Sequence, residues 1–141
     1  MVRTVHSPAE MERVYAIRHQ VFVEEQKVPQ HLERDEYDEQ AQHWLLWDDS
    51  QAVATARLVR IAPQRGKVGR VAVLPAWRGR GSGRQLMESI HRFAAENGLR
   101  SLHLDAQLAV LDFYTGLGYQ AEGEVFEDCG ILHRRMTRWL D

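Results

Sequence analysis

Residues 78–83 read Arg78-Gly79-Arg80-Gly81-Ser82-Gly83. The apolar run Val71-Ala72-Val73-Leu74-Pro75 precedes them, and Arg84-Gln85-Leu86-Met87-Glu88-Ser89-Ile90 follows. The order predicted is strand, glycine-rich loop, helix. Glycines let a backbone turn sharply and approach a ligand closely. A helix N-terminus leaves N–H groups free and favours negative charge. Arg78, Arg80 and Arg84 add fixed positive charge. Together they predict a site for a phosphate or pyrophosphate. The competing reading of these residues alone is an arginine-rich surface turn.

Three phosphate or nucleophile motifs fail here. A Walker loop needs Lys-Ser or Lys-Thr after its last glycine, and Arg84-Gln85 follows Gly83. The dinucleotide fingerprint needs a glycine three places after Gly81, where Arg84 stands. A hydrolase elbow needs glycines two places either side of Ser82, where Arg80 and Arg84 stand. What remains is Arg-x-x-Gly-x-Gly at Arg78, Gly81 and Gly83, which resembles the acetyl-coenzyme A loop of the GNAT N-acetyltransferases.

A second segment, Gln107-Leu108-Ala109-Val110-Leu111-Asp112-Phe113-Tyr114-Thr115-Gly116-Leu117-Gly118-Tyr119, resembles the other signature of that family, Asn-x-x-Ala-x-x-x-Tyr-x-x-x-Gly-Phe. Tyr114, Gly118 and Tyr119 match its intervals. Gln107 stands where the family has Asn, and Val110 where it has Ala. Residues 18–26, Val28-Pro29, Asp35, Asp38 and residues 126–133 are similar to the small ElaA-like branch. The resemblance thus runs over most of the chain.

The pattern along the chain predicts one domain over residues 1–141, without linker or repeat. Residues 2–5 form a candidate first strand. Ser7-Pro8-Ala9-Glu10 is a helix start: Ser7 caps, Pro8 suits the first turn, and Glu10 completes a capping box. Met11, Val14, Tyr15, Val21 and Phe22 follow at helical spacing. Pro29 breaks the pattern, and the polar segment to about residue 42 reads as a loop or short helix. Strands are predicted over 43–47, 52–61 and 67–74, the first two a hairpin. A helix burying Leu86, Ile90, Phe93 and Ala94 follows, ended by Asn97-Gly98. A strand over 99–106 makes a right-handed crossover with the strand before the loop. A helix with Phe113 and Tyr114 comes next, then strands over 119–125 and 131–139 as a closing antiparallel pair.

The fold class expected is α/β. The resemblance implies a GNAT-like, mostly antiparallel mixed sheet flanked by helices, with one splayed parallel pair, the acyl-CoA N-acyltransferase fold. It further implies acetyl-CoA as co-substrate, held by Val71, Ala72, Val73, Arg78, Gly79, Arg80, Gly81, Ser82, Gly83, Arg84, Phe113 and Tyr114. Splaying frees backbone groups that must find partners, and an amide-rich pantetheine arm supplies them as an added strand would. The Val73 N–H is the candidate to support an oxyanion. Simple core packing is the bland alternative for Val71 and Val73.

The implied reaction is direct attack by an amine, from a small molecule or peptide, in a ternary complex. Tyr114 matches the family's general acid for the departing thiolate; the alternative is an aromatic core residue. Candidates for the base are Glu24, Glu25, Glu33, Asp35, Asp38, Glu127, Asp128, His133 or a water chain. The acidic run 33–39 either attracts a cationic amine or is a solvated face. A competing function on the same fold is a non-catalytic acyl-CoA binding or sensing module.

Composition excludes several classes. The net charge of −2 gives no bias toward nucleic acid, and the loop arginines have no aromatic platform beside them. One cysteine permits no internal disulfide. Cys129 lacks a catalytic histidine pattern, and the acids flanking it raise a thiol pKa. No His or Cys spacing suggests a metal. No apolar run is long enough for a membrane span, and residues 1–6 lack a signal-peptide core. A cytoplasmic monomer or homodimer is expected, with Trp139 and Leu140 as candidates for packing on a partner.

Overall fold

The computed structural model describes residues 1–140. Its centre is a seven-stranded sheet in the order β1-β2-β3-β4-β5-β7-β6. The strands are β1 (Val2–Thr4), β2 (Gln42–Asp48), β3 (Gln51–Ala62), β4 (Arg65–Val73), β5 (Ser101–Gln107), β6 (Gln120–Asp128) and β7 (Ile131–Trp139). Every neighbouring pair is antiparallel except β4 with β5. The mixed sheet and its single parallel pair are as expected.

The parallel pair parts early. Only Arg65↔Ser101, Gly66↔Leu102 and Lys67↔His103 are in register. Beyond them β4 stays with β3, and β5 stays with β7. Gly66 closes the base of this fork. A Cβ there would lie 2.8 Å from Leu58 Cδ1 and 3.0 Å from a Leu102 methyl, closer than packed carbons tolerate.

Helix α3 (Ser82–Glu96) covers one face of the sheet. It buries Leu86, Ile90 and Ala94 as the period predicts, and also Met87 and His91. Phe93 is only partly buried and meets Trp44 edge-on at 5.2 Å. Tyr114 of α4 (Leu111–Thr115) and Tyr119 join the same core. Leu140, partly buried, packs against it too, while Trp139 is exposed.

Helix α1 (Pro8–Arg18) covers the other face with Val14 and Ile17. Ser7 Oγ accepts from the Glu10 N–H at 3.1 Å. The Glu10 carboxylate reaches back to the His6 N–H at 2.8 Å, one residue before the cap. Past Arg18 the helix widens into a π-helix over His19–Glu25, and α2 (Gln30–Glu33) is a single turn.

A bulge bends β4. Its register against β3 shifts between Thr55 and Arg57, and opposite the shift Arg70 takes φ +51°. A left-handed non-glycine residue is uncommon and strained. Its guanidinium is held by the Glu33 carbonyl at 3.0 Å and by Glu33 and Asp35 carboxylates at 3.1 and 3.2 Å. Bulges re-aim side chains. Ala72 beyond it packs with the α1 cluster, while Val71 and Val73 lie against the α3 core.

Candidate functional site

The fork between β4 and β5 opens at its C-terminal end, and the two segments singled out from the sequence meet there. Ala54 faces Val73, and the Leu74 N–H donates to the Val53 carbonyl at 2.9 Å. That makes Ala54 and Val73 a non-hydrogen-bonded pair. The N–H and C=O of Val73 therefore point away from β3, into the fork. The Val73 carbonyl accepts from Arg78 Nε at 2.9 Å. Its N–H has no strand partner on that side, because β5 has already departed.

Below the fork lies the start of α3. Gly81 precedes it at φ +81°, with no side-chain cap. Gly79 is also left-handed, at φ +74°. A Cβ on either would meet nothing within 4 Å. The glycines serve the backbone's turn and leave the space above it open. The first-turn N–H groups of α3 face that space without intrahelical partners. The Ser82 hydroxyl is not available there: it donates to the Trp77 carbonyl at 2.9 Å. Arg80 has no hydrogen bond or ion pair among the described residues, and Arg84 has only a 3.7 Å contact with Glu88. Phe113 lies over the loop's end, its Cζ 3.0 Å from where a Gly83 Cβ would stand.

Arg78 behaves differently from its neighbours. Nη1 lies 2.8 Å from Glu25 Oε2 and Nη2 2.7 Å from Glu25 Oε1. The glycine loop is thereby clamped to the end of the π-helix. Gln107, the last residue of β5, donates from Nε2 to Gln26 Oε1 at 3.0 Å. Its amide bridges the mouth of the fork to the same π-helix.

Tyr114 is buried at the root of α4. Its ring meets Phe113 at 4.9 Å and Tyr119 at 5.9 Å, both edge-on. Burial pushes its phenol up to about 12, so the proton stays on at any physiological pH. Its hydroxyl has no hydrogen-bond partner among the described residues, and it is not a sealed atom.

Behind it runs a network that periodicity did not predict. Tyr119 Oη lies 2.8 Å from His91 Nε2, and His91 Nδ1 lies 2.6 Å from Arg138 Nη1. Arginine only donates, so Nδ1 accepts and Nε2 carries the proton to Tyr119. Burial, then the Arg138 charge, push His91 down to about 4.

The acidic run divides: Glu36 and Glu39 are exposed, while Glu33, Asp35 and Asp38 are paired with arginines. Arg18, fully buried, donates to Glu33 at 2.8 Å and Asp38 at 2.7 Å. Arg57 pairs with Asp35 at 2.7 Å and Asp38 at 2.8 Å. Arg70 completes the set. Burial works to raise Asp38, but the Arg18 hydrogen bonds and charge prevail and bring it to about 2. Hydrogen bonds from Arg57 lower Asp35. These carboxylates hold α2 and the Arg70 bulge in place, and the lowered Asp35 and Asp38 are poor proton acceptors. One signal was legible: Arg18 continues the apolar stripe of Val14, Ile17 and Val21, so a buried partner was required.

The other base candidates separate cleanly. Glu25 is paired with Arg78, and Glu24 is an exposed side chain 3.7 Å from His19. Glu127 and Asp128 are exposed at the tip of the β6–β7 hairpin. Cys129 is exposed beside them, its thiol raised first by desolvation and then by Asp128. His133 sits in β7 opposite Gln107 of β5. Among the described residues, no helix is long and apolar enough to cross a membrane.

The family model described as an acetyltransferase (GNAT) domain matches residues 4–140. Protein ElaA of Escherichia coli strain K12 is 33% identical over 140 residues, covering 94% of this chain and 92% of that protein. YjcF of Bacillus subtilis, described as an uncharacterized N-acetyltransferase, is 32% identical over 130 residues, with 92% of each covered. The crystal structure of E. coli ElaA superposes with TM-score 0.88 at 28% identity, over 98% of both chains. An acyl-CoA N-acyltransferase from Pseudomonas aeruginosa superposes with TM-score 0.86 at 30% identity, over 98% of this chain and 99% of that one. The chain belongs to the GNAT acetyltransferase family.

Proposed function

We propose that this GNAT family member transfers the acetyl group of acetyl-coenzyme A to an amine acceptor, by direct attack within a ternary complex. The observation that carries the reading is the Val73 N–H, turned into a fork that β5 has left, directly above the uncapped start of α3. The residues there fit an acyl-coenzyme A. Open space over Gly79 and Gly81, free first-turn N–H groups and the exposed Arg80 and Arg84 suit a pyrophosphate. The unpaired edges of β4 and β5 suit an amide-rich arm lying between them as an extra strand. Phe113 borders the loop and Tyr114 the far end.

When bound, the coenzyme supplies an activated thioester carbonyl. The chain's own groups do the rest. The Val73 N–H would donate to oxygen charge that develops on attack. Tyr114, protonated at working pH, is positioned as the donor to the departing sulfur. Gln107, where the family has Asn, ties the fork mouth to Gln26.

Calorimetry with acetyl-CoA, together with coenzyme release over a panel of polyamines, aminoglycosides, amino acids and peptides, tests this. Binding with release for at least one amine is expected. Absence of binding would overturn the cofactor site. Binding without release for any amine would identify an acyl-CoA binding or sensing module. Propionyl- and butyryl-CoA run in parallel decide whether acetyl is the preferred group.

A further inference from the structure

We infer that His133 is the base that deprotonates the acceptor amine, with its Nε2 as the accepting atom; this deepens the reading above and rests on it. Three observations converge on that ring.

The first is its place. On β5, Leu102, Leu104 and Ala106 belong to the α3 core. Alternation puts Asp105 and Gln107 on the opposite face. On β7, Met136 belongs to the α3 core, so His133 and Arg135 share the opposite face with them. His133 is the direct cross-strand partner of Gln107. Cross-strand partners on one face stand about 5 Å apart at Cβ. Gln107 ends β5 at the open mouth of the fork and reaches Gln26 of the π-helix side. His133 therefore stands next to the mouth, on the face away from Tyr114. An acceptor approaching from that side meets it opposite the acid.

The second is its orientation. His133 Nδ1 lies 2.7 Å from the Ile131 carbonyl. A carbonyl only accepts, so Nδ1 carries a proton. The neutral ring then presents a bare lone pair at Nε2, which has no partner among the described residues. Phe126 stacks on the ring at 5.7 Å and 19° and fixes its plane.

The third is elimination by contact. Glu33, Asp35 and Asp38 are committed to arginines. The charged groups sharing the ring's face include Arg135 and Lys67, which pair with Asp105 at 3.0 and 3.4 Å, and on β6 Glu122 and Asp128.

The chemistry balances as follows. The acceptor begins as an alkylammonium. One N–H proton passes to His133 Nε2 and then to solvent, leaving a neutral amine whose lone pair forms the C–N bond. As the C–S bond breaks, the second proton leaves nitrogen, and one proton reaches sulfur through Tyr114. The products are the amide, free coenzyme and one proton released.

The test compares two nucleophiles with His133→Asn. Hydroxylamine is already neutral at physiological pH and needs no proton removed before it attacks. The best alkylamine of the panel is a cation and needs one. The variant should lose on the order of 100-fold or more in kcat with the alkylamine, the usual range for a general base. With hydroxylamine it should stay within about threefold of wild type, and its acetyl-CoA affinity should not change. Equal losses with both nucleophiles, or none with either, would overturn the base while leaving the proposed reaction standing. A wild type that binds acetyl-CoA but releases coenzyme with neither nucleophile overturns both. Imidazole ¹⁵N spectra, recorded without coenzyme, give a readout free of turnover. They should show His133 as the Nδ1–H tautomer, with the Nε2 signal moving on addition of the alkylamine. An Nε2–H tautomer would sink the assignment.

Discussion

Arg78 and Glu25 lie 53 residues apart in sequence and form a two-pronged ion pair, with N···O distances of 2.8 and 2.7 Å. This contact joins the proposed phosphate loop to the helix bordering the mouth of the fork. An arginine so engaged cannot also grip a pyrophosphate without letting go. Loop and π-helix therefore compete for one guanidinium, and the proposed binding of coenzyme would release Glu25.

Glu25→Gln should consequently tighten acetyl-CoA binding. The pair is about two-fifths exposed on both sides, where such pairs are worth about 0.2–1 kcal/mol. The gain should be a factor of about 1.5 to 5. Arg78→Ala should weaken binding roughly tenfold, near the low end for a charged hydrogen bond, since the wild-type arginine must first leave Glu25. Calorimetry on both variants checks this. Weaker binding in Glu25→Gln would show that the pair supports the loop instead of competing with it.

The Arg18 cluster makes a stability prediction. Arg18 has no exposed surface and serves Glu33 and Asp38. Replacing it with Met fills the space but leaves two buried carboxylates short of a partner. Loss of one member of such a set costs about 3–5 kcal/mol. Urea unfolding of Arg18→Met should show a loss of that order. A loss below about 1 kcal/mol would mean that Arg57 and Arg70 neutralise the acids alone. Asp38 adds a pH limb. Its carboxyl is held below the unfolded 3.8, at about 2. Its stabilisation is complete above about pH 5 and disappears as pH falls through about 2.

The residues that define these contacts mark what the sequence could and could not reveal. Strand boundaries followed from apolar runs and turn residues. The face of α3 followed from Leu86, Ile90 and Ala94 at their helical period. Ser7 and Pro8 marked the start of α1. All of these depend on near neighbours. Arg18 with Asp38, Arg78 with Glu25 and His91 with Tyr119 join distant segments through polar atoms. Hydrophobic period carries no information about such pairs. The π-helix and the Arg70 bulge were hidden for a related reason. Each departs from a regular period, and tertiary contacts hold it: Arg70 on Glu33 and Asp35, Glu25 on Arg78. At the candidate site, the glycine loop and the Tyr114 segment were visible as motifs. Their meeting at Gly83 and Phe113 needed the fold.

His91 predicts a second pH effect, at milder acidity. Burial and then Arg138 lower it from 6.5 to about 4. Between those values the unfolded chain binds a proton that the native state refuses. Stability therefore falls as pH falls, and by about pH 4 the loss is on the order of 3 kcal/mol. Burial lowers His43 and His103 as well, and they act in the same direction. Urea midpoints should drop between pH 7 and pH 4.5, a range spanning most of the ~2.5-unit gap. His91→Gln should flatten much of that slope, leaving the part due to His43 and His103. An unchanged slope in the variant would mean that His91 is protonated in the native state.

The catalytic prediction rests on Tyr114. Its phenol makes no hydrogen bond among the described residues, so Tyr114→Phe leaves no partner stranded. Its ring contacts with Phe113 and Tyr119 survive the change. Stability and coenzyme affinity should stay close to wild type. What disappears is a proton that burial keeps on oxygen, with a pKa near 12, so the group cannot act as a base at neutral pH. General-acid catalysis contributes about 10²–10⁴ in rate. The variant should lose that order of kcat with an unchanged coenzyme dissociation constant, the pattern of an interaction made only in the transition state. The loss should depend on the leaving group as well. An acyl donor whose thiol is more acidic than that of coenzyme A needs less help to depart, so the gap between variant and wild type should narrow with it. Single-turnover rates isolate chemistry from product release and are the measurement to make. Full activity of Tyr114→Phe in that assay, with both donors, would assign Tyr114 to packing and pass the acid's role to water in the fork.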